Sequence, residues 1–203
     1  MKALSKPEWR THVLSERRGL DPETRAAEAA ALVSSVTPAA DALAAHRDGR
    51  TVCAYVPVGS EPGSLAMLDA LRRAGRRVLV PVTGEPGPLE WAEFTGSENL
   101  VTASYGLREP SGRALSFAEV GSAAVVFVPA LAVDRRGVRL GRGAGFYDRT
   151  LGLVTPGTAL VAVVRDSELV PSLPADPHDV AMTHALTPGH GLVRLGPAGS
   201  EPE

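Results

Sequence analysis

Val52-Cys53-Ala54-Tyr55-Val56, then Ser64 to Ala74, then Val78-Leu79-Val80-Pro81-Val82: two apolar runs separated by a helical pattern decide the fold. Each run is short, β-branched and apolar at consecutive positions, the pattern of a strand buried on both faces of a parallel sheet. Between them Leu65, Leu68 and Leu71 recur at helical spacing, and Gly75 supplies the stop. The unit is strand, helix, strand. Working outward, Ala123 to Leu131 and Ala159 to Val164 repeat the buried-strand pattern, and Leu89 to Phe94 and Gly191 to Leu195 suit shorter strands.

Towards the N-terminus, Ser5-Lys6-Pro7-Glu8 has the form of a capping box, so a helix is expected from about Lys6 to Arg18. Trp9, Val13 and Leu14 form its apolar face, while Lys6 and Arg10, four residues apart, share another face. Two like charges so placed repel unless an anion lies nearby; a solvated face is the alternative. Asp21-Pro22-Glu23 opens a second, alanine-rich helix to about Val36, and Thr37-Pro38 opens a shorter one. The expectation is an α/β fold: a single-domain, open, mainly parallel sheet with helices on both faces. It is a Rossmann-like three-layer arrangement with the N-terminal helices packed on it. The domain is expected to cover residues 1–196, leaving 197–203 as a flexible tail.

The 203 residues carry a formal charge of −2, a balance that points neither to nucleic acid nor to an anionic membrane as partner. Cys53 is the single cysteine, so no intramolecular disulfide is available; its apolar neighbours suit a buried thiol in a reducing compartment. Met1 to Pro7 lacks the apolar segment of a secretory signal and no run reaches the length of a membrane span, so a cytoplasmic protein, expected to be monomeric, is the reading.

Chemistry concentrates in Val138-Arg139-Leu140-Gly141-Arg142-Gly143-Ala144-Gly145-Phe146-Tyr147-Asp148-Arg149. Alternate glycines let main-chain N–H groups approach an anion that a Cβ would keep away. Arg139, Arg142 and Arg149 add forked donors suited to phosphate oxygens, and a helix starting near Ala144 would turn its unpaired N–H groups to the same anion. Asp148 fits beside a phosphate if a hard cation such as Mg²⁺ bridges the two. The alternative is a tight turn with solvated arginines. The spacing matches neither a Walker loop nor a dinucleotide fingerprint. In open α/β sheets ligands sit at the carboxyl ends of the strands, where Pro57 to Glu61 and the segment after Leu131 both fall.

Several pieces occur in the order found in one family. They are Lys6-x-x-x-Arg10; Tyr55-Val56-Pro57 followed by Glu61; Val80-Pro81-Val82; Gly106-Leu107-Arg108-Glu109-Pro110; the run from Val128 to Arg149, including Asp134 and Gly137; Leu173-Pro174; and His178-Asp179. From Lys6 to about Thr187 the chain resembles the 5-formyltetrahydrofolate cyclo-ligases, also called 5,10-methenyltetrahydrofolate synthetases. The resemblance implies ATP- and Mg²⁺-dependent cyclisation of 5-formyltetrahydrofolate to 5,10-methenyltetrahydrofolate, with ADP and phosphate released. It also implies the roles of residues. ATP would be bound by Lys6, Arg10, Arg139, Leu140, Gly141, Arg142, Gly143, Ala144, Gly145, Phe146 and Tyr147. The folate would be bound by Val56, Glu61, Tyr105, Arg142 and Phe146. Arg142 and Tyr147 would be catalytic, and Asp148 and Asp179 would hold the metal.

The chain departs from the family pattern at Pro62-Gly63-Ser64, at Ala144 where some relatives have lysine, at Glu168 where glutamine is frequent, and at Thr183 where a second aspartate occurs. Two other functions remain open on the sequence. One is a non-catalytic nucleotide- or phosphate-binding protein on the same fold; the other is sugar-phosphate isomerase chemistry, which needs neither ATP nor metal.

Overall fold

Ser5 and Asp21 start the first two helices as their side chains dictate. The Ser5 N–H and hydroxyl both donate to Glu8 at the start of α1 (Lys6–Gly19), and the Asp21 carboxylate accepts from the Thr24 N–H at the start of α2 (Pro22–Ala44). This computed structural model describes residues 4–45, 50–82, 87–103 and 107–196; Tyr105 and the expected tail at 197–203 lie outside them.

The break expected at Thr37-Pro38 does not occur, and α2 runs through Pro38. Proline there removes one N–H from the helical ladder, a cost of about 3 kcal/mol. Val36, Ala39, Ala40 and Ala44 are all buried against the sheet, and that burial carries the helix across.

The remaining elements are β1 (Thr51–Cys53), α3 (Leu65–Arg73), β2 (Arg77–Val82), β3 (Glu90–Glu93), β4 (Leu100–Thr102), β5 (Arg108–Pro110), β6 (Val125–Pro129), β7 (Ala132–Asp134), β8 (Arg139–Leu140), α4 (Phe146–Leu151), β9 (Ala159–Val163), β10 (Leu169–Val170), β11 (His184–Thr187) and β12 (Gly191–Arg194). A seven-stranded sheet has the order β12-β11-β9-β6-β1-β2-β3. Its interior pairs are parallel, and the edge strands β3 and β12 pair antiparallel, which closes each end with a short hairpin-like strand. β11 was not legible in the sequence because its apolar content is only Ala185 and Leu186, too short a run to separate from a loop.

The sheet divides the core in two. On one face Leu32, Val36 and Ala40 of α2 and Met67, Leu68 and Leu71 of α3 cover Val52, Val78, Val125 and Val161. On the other, Leu151 of α4 and Val120 of a 3-10 turn (Phe117–Ser122) cover Cys53, Leu79, Val126 and Leu160. The mixed α/β class expected from the sequence is therefore present, with helical cover on both faces. Of the two N-terminal helices, α2 lies on the sheet, whereas Val13 of α1 packs with Leu131, Ala132, Leu140, Val170 and Leu173 over a small sheet of order β10-β7-β8.

Topology sets the site. From β1 the chain crosses over α3 to β2 on one side, then returns to β6 on the other side of β1. The connections diverge between β1 and β6, so a crevice opens at their carboxyl ends. The loop holding Glu61 follows β1, and Ala130-Leu131 and the β7–β8 hairpin follow β6. Among the described residues no helix is long and apolar enough to cross a membrane.

One glycine pins the hairpin. Gly137 has φ +92°, and a Cβ there would lie 2.3 Å from the Met182 carbonyl oxygen, while its own carbonyl accepts from the Met182 N–H at 2.8 Å. Gly137→Ala should therefore destabilise the fold by at least about 1–3 kcal/mol, the range for a strained backbone position; a denaturant midpoint equal to that of the unaltered protein would refute this.

Candidate active site

The glycine-rich loop joins β8 to α4. Gly143 (φ +102°) and Gly145 (φ +72°) take left-handed conformations open to glycine, and Gly145 caps α4. Gly141 has a different need: a Cβ there would lie 2.6 Å from an Arg139 nitrogen. The helix starts at Phe146 rather than near Ala144, because the chain must first unwind from φ +72° at Gly145.

Three connected cavities meet along this loop. A polar one of about 340 Å³ is lined by Lys6, Arg10, Arg139, Gly141, Asp148 and Asp179, with Leu140, Gly143, Gly145 and Arg149 also on its wall. An apolar one of about 210 Å³ is lined by Tyr55, Val56, Glu61, Pro81, Phe146 and Tyr147. Between them a cavity of about 200 Å³ shares Arg139, the three loop glycines and Asp148 with the first, and Glu61, Phe146 and Tyr147 with the second; Arg142 and Ala144 line it too. Each sequence-predicted site residue that is described thus lines at least one of the three. Gly141, Gly143 and Gly145 wall the polar and central cavities, and Phe146 and Tyr147 at the start of α4 wall the central and apolar ones.

Three of the cations meet carboxylates. Lys6 Nζ lies 2.7 Å from Asp176 and 2.8 Å from Asp179, Arg139 meets Asp148, and Arg142 Nε lies 3.3 Å from Glu61. Arg10 Nε donates to the Gly141 carbonyl at 3.0 Å, and its guanidinium would touch any Cβ placed at Gly143. Arg149 lies over the Phe146 ring, and Arg139 over Tyr147. Of the two aspartates expected to hold a metal, Asp179 stands with Asp176 and His178 in a group whose ligand atoms lie within 4.8 Å of one another. Asp148 lines the same cavity and is not part of that group. Carboxylate oxygens are the ligands a hard divalent cation takes.

Titration follows the packing. Burial raises the Tyr147 phenol well above its usual range, with the Glu61 charge adding to it, so the hydroxyl keeps its proton at neutral pH and can donate it in a hydrogen bond. Desolvation raises Asp179, but hydrogen bonds from Lys6 and the Asp176 N–H, with the Lys6 and His178 charges, outweigh it and leave the carboxyl low. For Lys6 desolvation lowers the pKa, and its bonds to Asp176 and Asp179 reverse that to a net rise.

α1 corrects one expectation. At 100° per residue, Lys6, Arg10, Val13 and Arg17 fall within about 60° of arc, so the cations share the buried face with Val13 instead of occupying a separate one. Arg17 was missed from the sequence, although its spacing of 11 from Lys6 places it on this stripe. It is 1% exposed and lines the central cavity. The sequence departures also find roles. Gly63 takes φ +92°, the Pro62 carbonyl accepts from the Tyr55 hydroxyl at 2.6 Å, and Ser64 caps α3 in extended conformation without a side-chain bond. Thr183 bonds both main-chain groups of Leu160, and Glu168 is buried against Arg17.

The sheet, its divergent crossovers and the strand-end cavities define an α/β enzyme of the open-sheet class. The family model for the 5-formyltetrahydrofolate cyclo-ligase family matches residues 2–188. A 5-formyltetrahydrofolate cyclo-ligase of Mycolicibacterium smegmatis is 50% identical over 200 residues, spanning 96% of this chain and 100% of that protein. That of Escherichia coli is 28% identical, spanning 87% and 96%. The solution structure of 5,10-methenyltetrahydrofolate synthetase from Aquifex aeolicus superposes with a TM-score of 0.74 at 26% identity, covering 98% of this chain and 96% of that one. The chain belongs to the 5-formyltetrahydrofolate cyclo-ligase family and is an enzyme of the ligase class.

The Lys6–Asp179 contact carries a sign that can be checked. A depressed carboxyl contributes stability above its unfolded pKa, near 3.8, and loses it as pH falls through the lower folded value. Thermal midpoints measured from pH 5 downward should fall less steeply in Asp179→Asn than in the unaltered chain; identical acid limbs would refute the contact.

Proposed function

We propose that the chain converts 5-formyltetrahydrofolate and ATP to 5,10-methenyltetrahydrofolate, ADP and phosphate, with Mg²⁺ required. The observation that carries this reading is one continuous run, Arg139 to Tyr147, that lines a cation-rich cavity through its glycines and an apolar cavity through Phe146 and Tyr147. A reaction that moves a phosphoryl group from a polar donor to a flat heteroaromatic acceptor needs that arrangement.

A formamide carbon is a poor electrophile, and its oxygen a poor leaving group. The formyl oxygen therefore attacks the γ-phosphorus as the bond to the ADP oxygen breaks. N10 then attacks the activated carbon and loses its proton, and phosphate departs carrying the formyl oxygen. Phosphoryl transfer of this kind depends mostly on positioning and charge neutralisation. Lys6 and Arg10 hold the triphosphate from α1, and the N–H groups freed by Gly143 and Gly145 face it from the loop. Glu61 accepts from the pterin N–H groups, Val56 and Phe146 flank the ring, and Tyr147 donates without changing protonation state. Arg142, 53% exposed and reaching Glu61, is free to turn to the phosphoryl group in transit. Asp148 and Asp179 would hold Mg²⁺, which neutralises phosphate charge when bound.

This reading puts Lys6 and Arg139 in exchange: as phosphates take the cations, the carboxylates they leave become free for the metal. Binding of nucleotide and metal is then mutually reinforcing.

Mixing protein, ATP, Mg²⁺ and 5-formyltetrahydrofolate should generate the near-ultraviolet band of the methenyl product, and nucleotide binding without that band would refute the reading. Arg142→Ala should lower turnover by roughly two orders of magnitude, the usual scale for one charge-stabilising donor; a folded variant at full rate would take Arg142 out of the mechanism. Asp148→Asn should raise the Mg²⁺ concentration for half-maximal rate, and an unchanged Mg²⁺ dependence would discard its metal role.

A further inference from the structure

Among the described residues four buried side-chain nitrogens have no hydrogen-bond partner: Arg17 Nη1, Arg25 Nε, Trp91 Nε1 and Arg139 Nε. Two of the four belong to guanidinium groups that line the same central cavity, Arg17 and Arg139. Buried donors are normally satisfied, so a pair of unpartnered ones at one cavity points to a ligand rich in acceptor oxygens.

Arg17 is built for this. Its Nε and Nη2 grip Glu168 at 2.6 and 2.8 Å, and Nη2 also donates to the Ala130 carbonyl at 2.7 Å, at the carboxyl end of β6. Those three bonds fix the plane of the guanidinium and leave Nη1 as its one unengaged nitrogen. The group needs no further ordering when a ligand arrives, which is the condition for effective charge stabilisation. A guanidinium offers forked donors and no acceptor, so its role here is that of an electrostatic donor.

Position along α1 limits which ligand group it can meet. Lys6 and Arg10 line the polar cavity; Arg17 lines the central one and also a separate cavity of about 410 Å³ beside α1, on the side of Glu28 and Arg165. Eleven residues of helix separate Lys6 from Arg17, about 16 Å at 1.5 Å per residue, so the stripe runs from the triphosphate end towards the acceptor. We propose that Arg17 is a third cation of this phosphate path, with Nη1 donating to an oxygen of the phosphoryl group as its bond to the ADP oxygen breaks and that to the formyl oxygen forms. The inference rests on the ligase reading above. It adds a contact on α1 that neither the loop nor the metal-binding carboxylates supply.

Two variants test it. Arg17→Lys keeps a charge against Glu168 but lacks Nη1, and Arg17→Met combined with Glu168→Gln removes the ion pair without leaving a buried carboxylate. Both are compared with the unaltered enzyme for thermal midpoint, kcat, KM for each substrate, and calorimetric binding of ADP with and without aluminium fluoride in the presence of 5-formyltetrahydrofolate. The expected result is ADP affinity and KM values near those of the unaltered enzyme, kcat down by about 100-fold, loss of the tightening that aluminium fluoride confers on ADP, and partial rescue of the double variant by millimolar guanidinium. A folded variant of either kind that keeps its kcat and its aluminium fluoride response overturns the proposal, as does a defect confined to KM or to thermal midpoint. An unaltered enzyme that gives no methenyl band overturns the ligase reading instead, and this inference with it.

Discussion

The Glu168 carboxylate, 4% exposed, accepts two bonds from Arg17 and one from the Arg165 main-chain N–H at 2.9 Å. Arg165 in turn reaches Glu28 of α2 at 2.7 Å and the Ser60 carbonyl, next to Glu61, at 3.1 Å. One buried anion therefore ties together α1, α2, the end of β6 and the loop that follows β1. A buried pair of this kind adds little net stability, because desolvating both charges offsets most of their attraction. Breaking it is another matter: a lone buried charge costs about 3–5 kcal/mol. The network fixes arrangement more than it deepens the fold, and it holds Ala130 and the residue before Glu61, at the edge of the central cavity, relative to α1.

Around that frame the polar and the apolar cavity are made by different means. On the polar side, a small sheet and α1 present charge, and the hairpin turn at Gly137 is stitched to the segment that follows Asp179 through Met182. On the apolar side, Tyr55 and Tyr147 bring bulk and hydroxyl groups held protonated by burial. The two sides meet where Arg139 lies over the Tyr147 ring and at the central cavity, which both residues line. In the proposed reaction, separating an ionic compartment from an apolar one would keep water from competing for an activated formyl group.

Much of this was readable before any coordinates. β1, α3 and β2 follow from apolar runs and helical spacing because the sheet is buried on both faces, and the loop follows from glycines whose backbone needs are local. What could not be read was decided at long range. Arg17 and Glu168 are 151 positions apart, so the departure from glutamine at Glu168 was visible while its reason was not. α2 crosses Pro38 because residues on both sides of it bury against strands far along the chain. α1 mixes cations with Val13 on one face, which local patterning reads as two faces because apolar and charged side chains ordinarily segregate.

The opposite-sign pairs at the site have a bearing on how substrates arrive. Lys6, Arg139 and Arg142 are each answered by an acidic neighbour, which shrinks the field those three project beyond about 10 Å at moderate ionic strength, while Arg10 and Arg149 donate to main-chain carbonyls that cancel no charge. Long-range steering of a polyanion needs an unbalanced surface potential. On the proposed reading, capture of a nucleotide would combine the pull of Arg10 and Arg149 with short-range exchange of partners at Lys6 and Arg139.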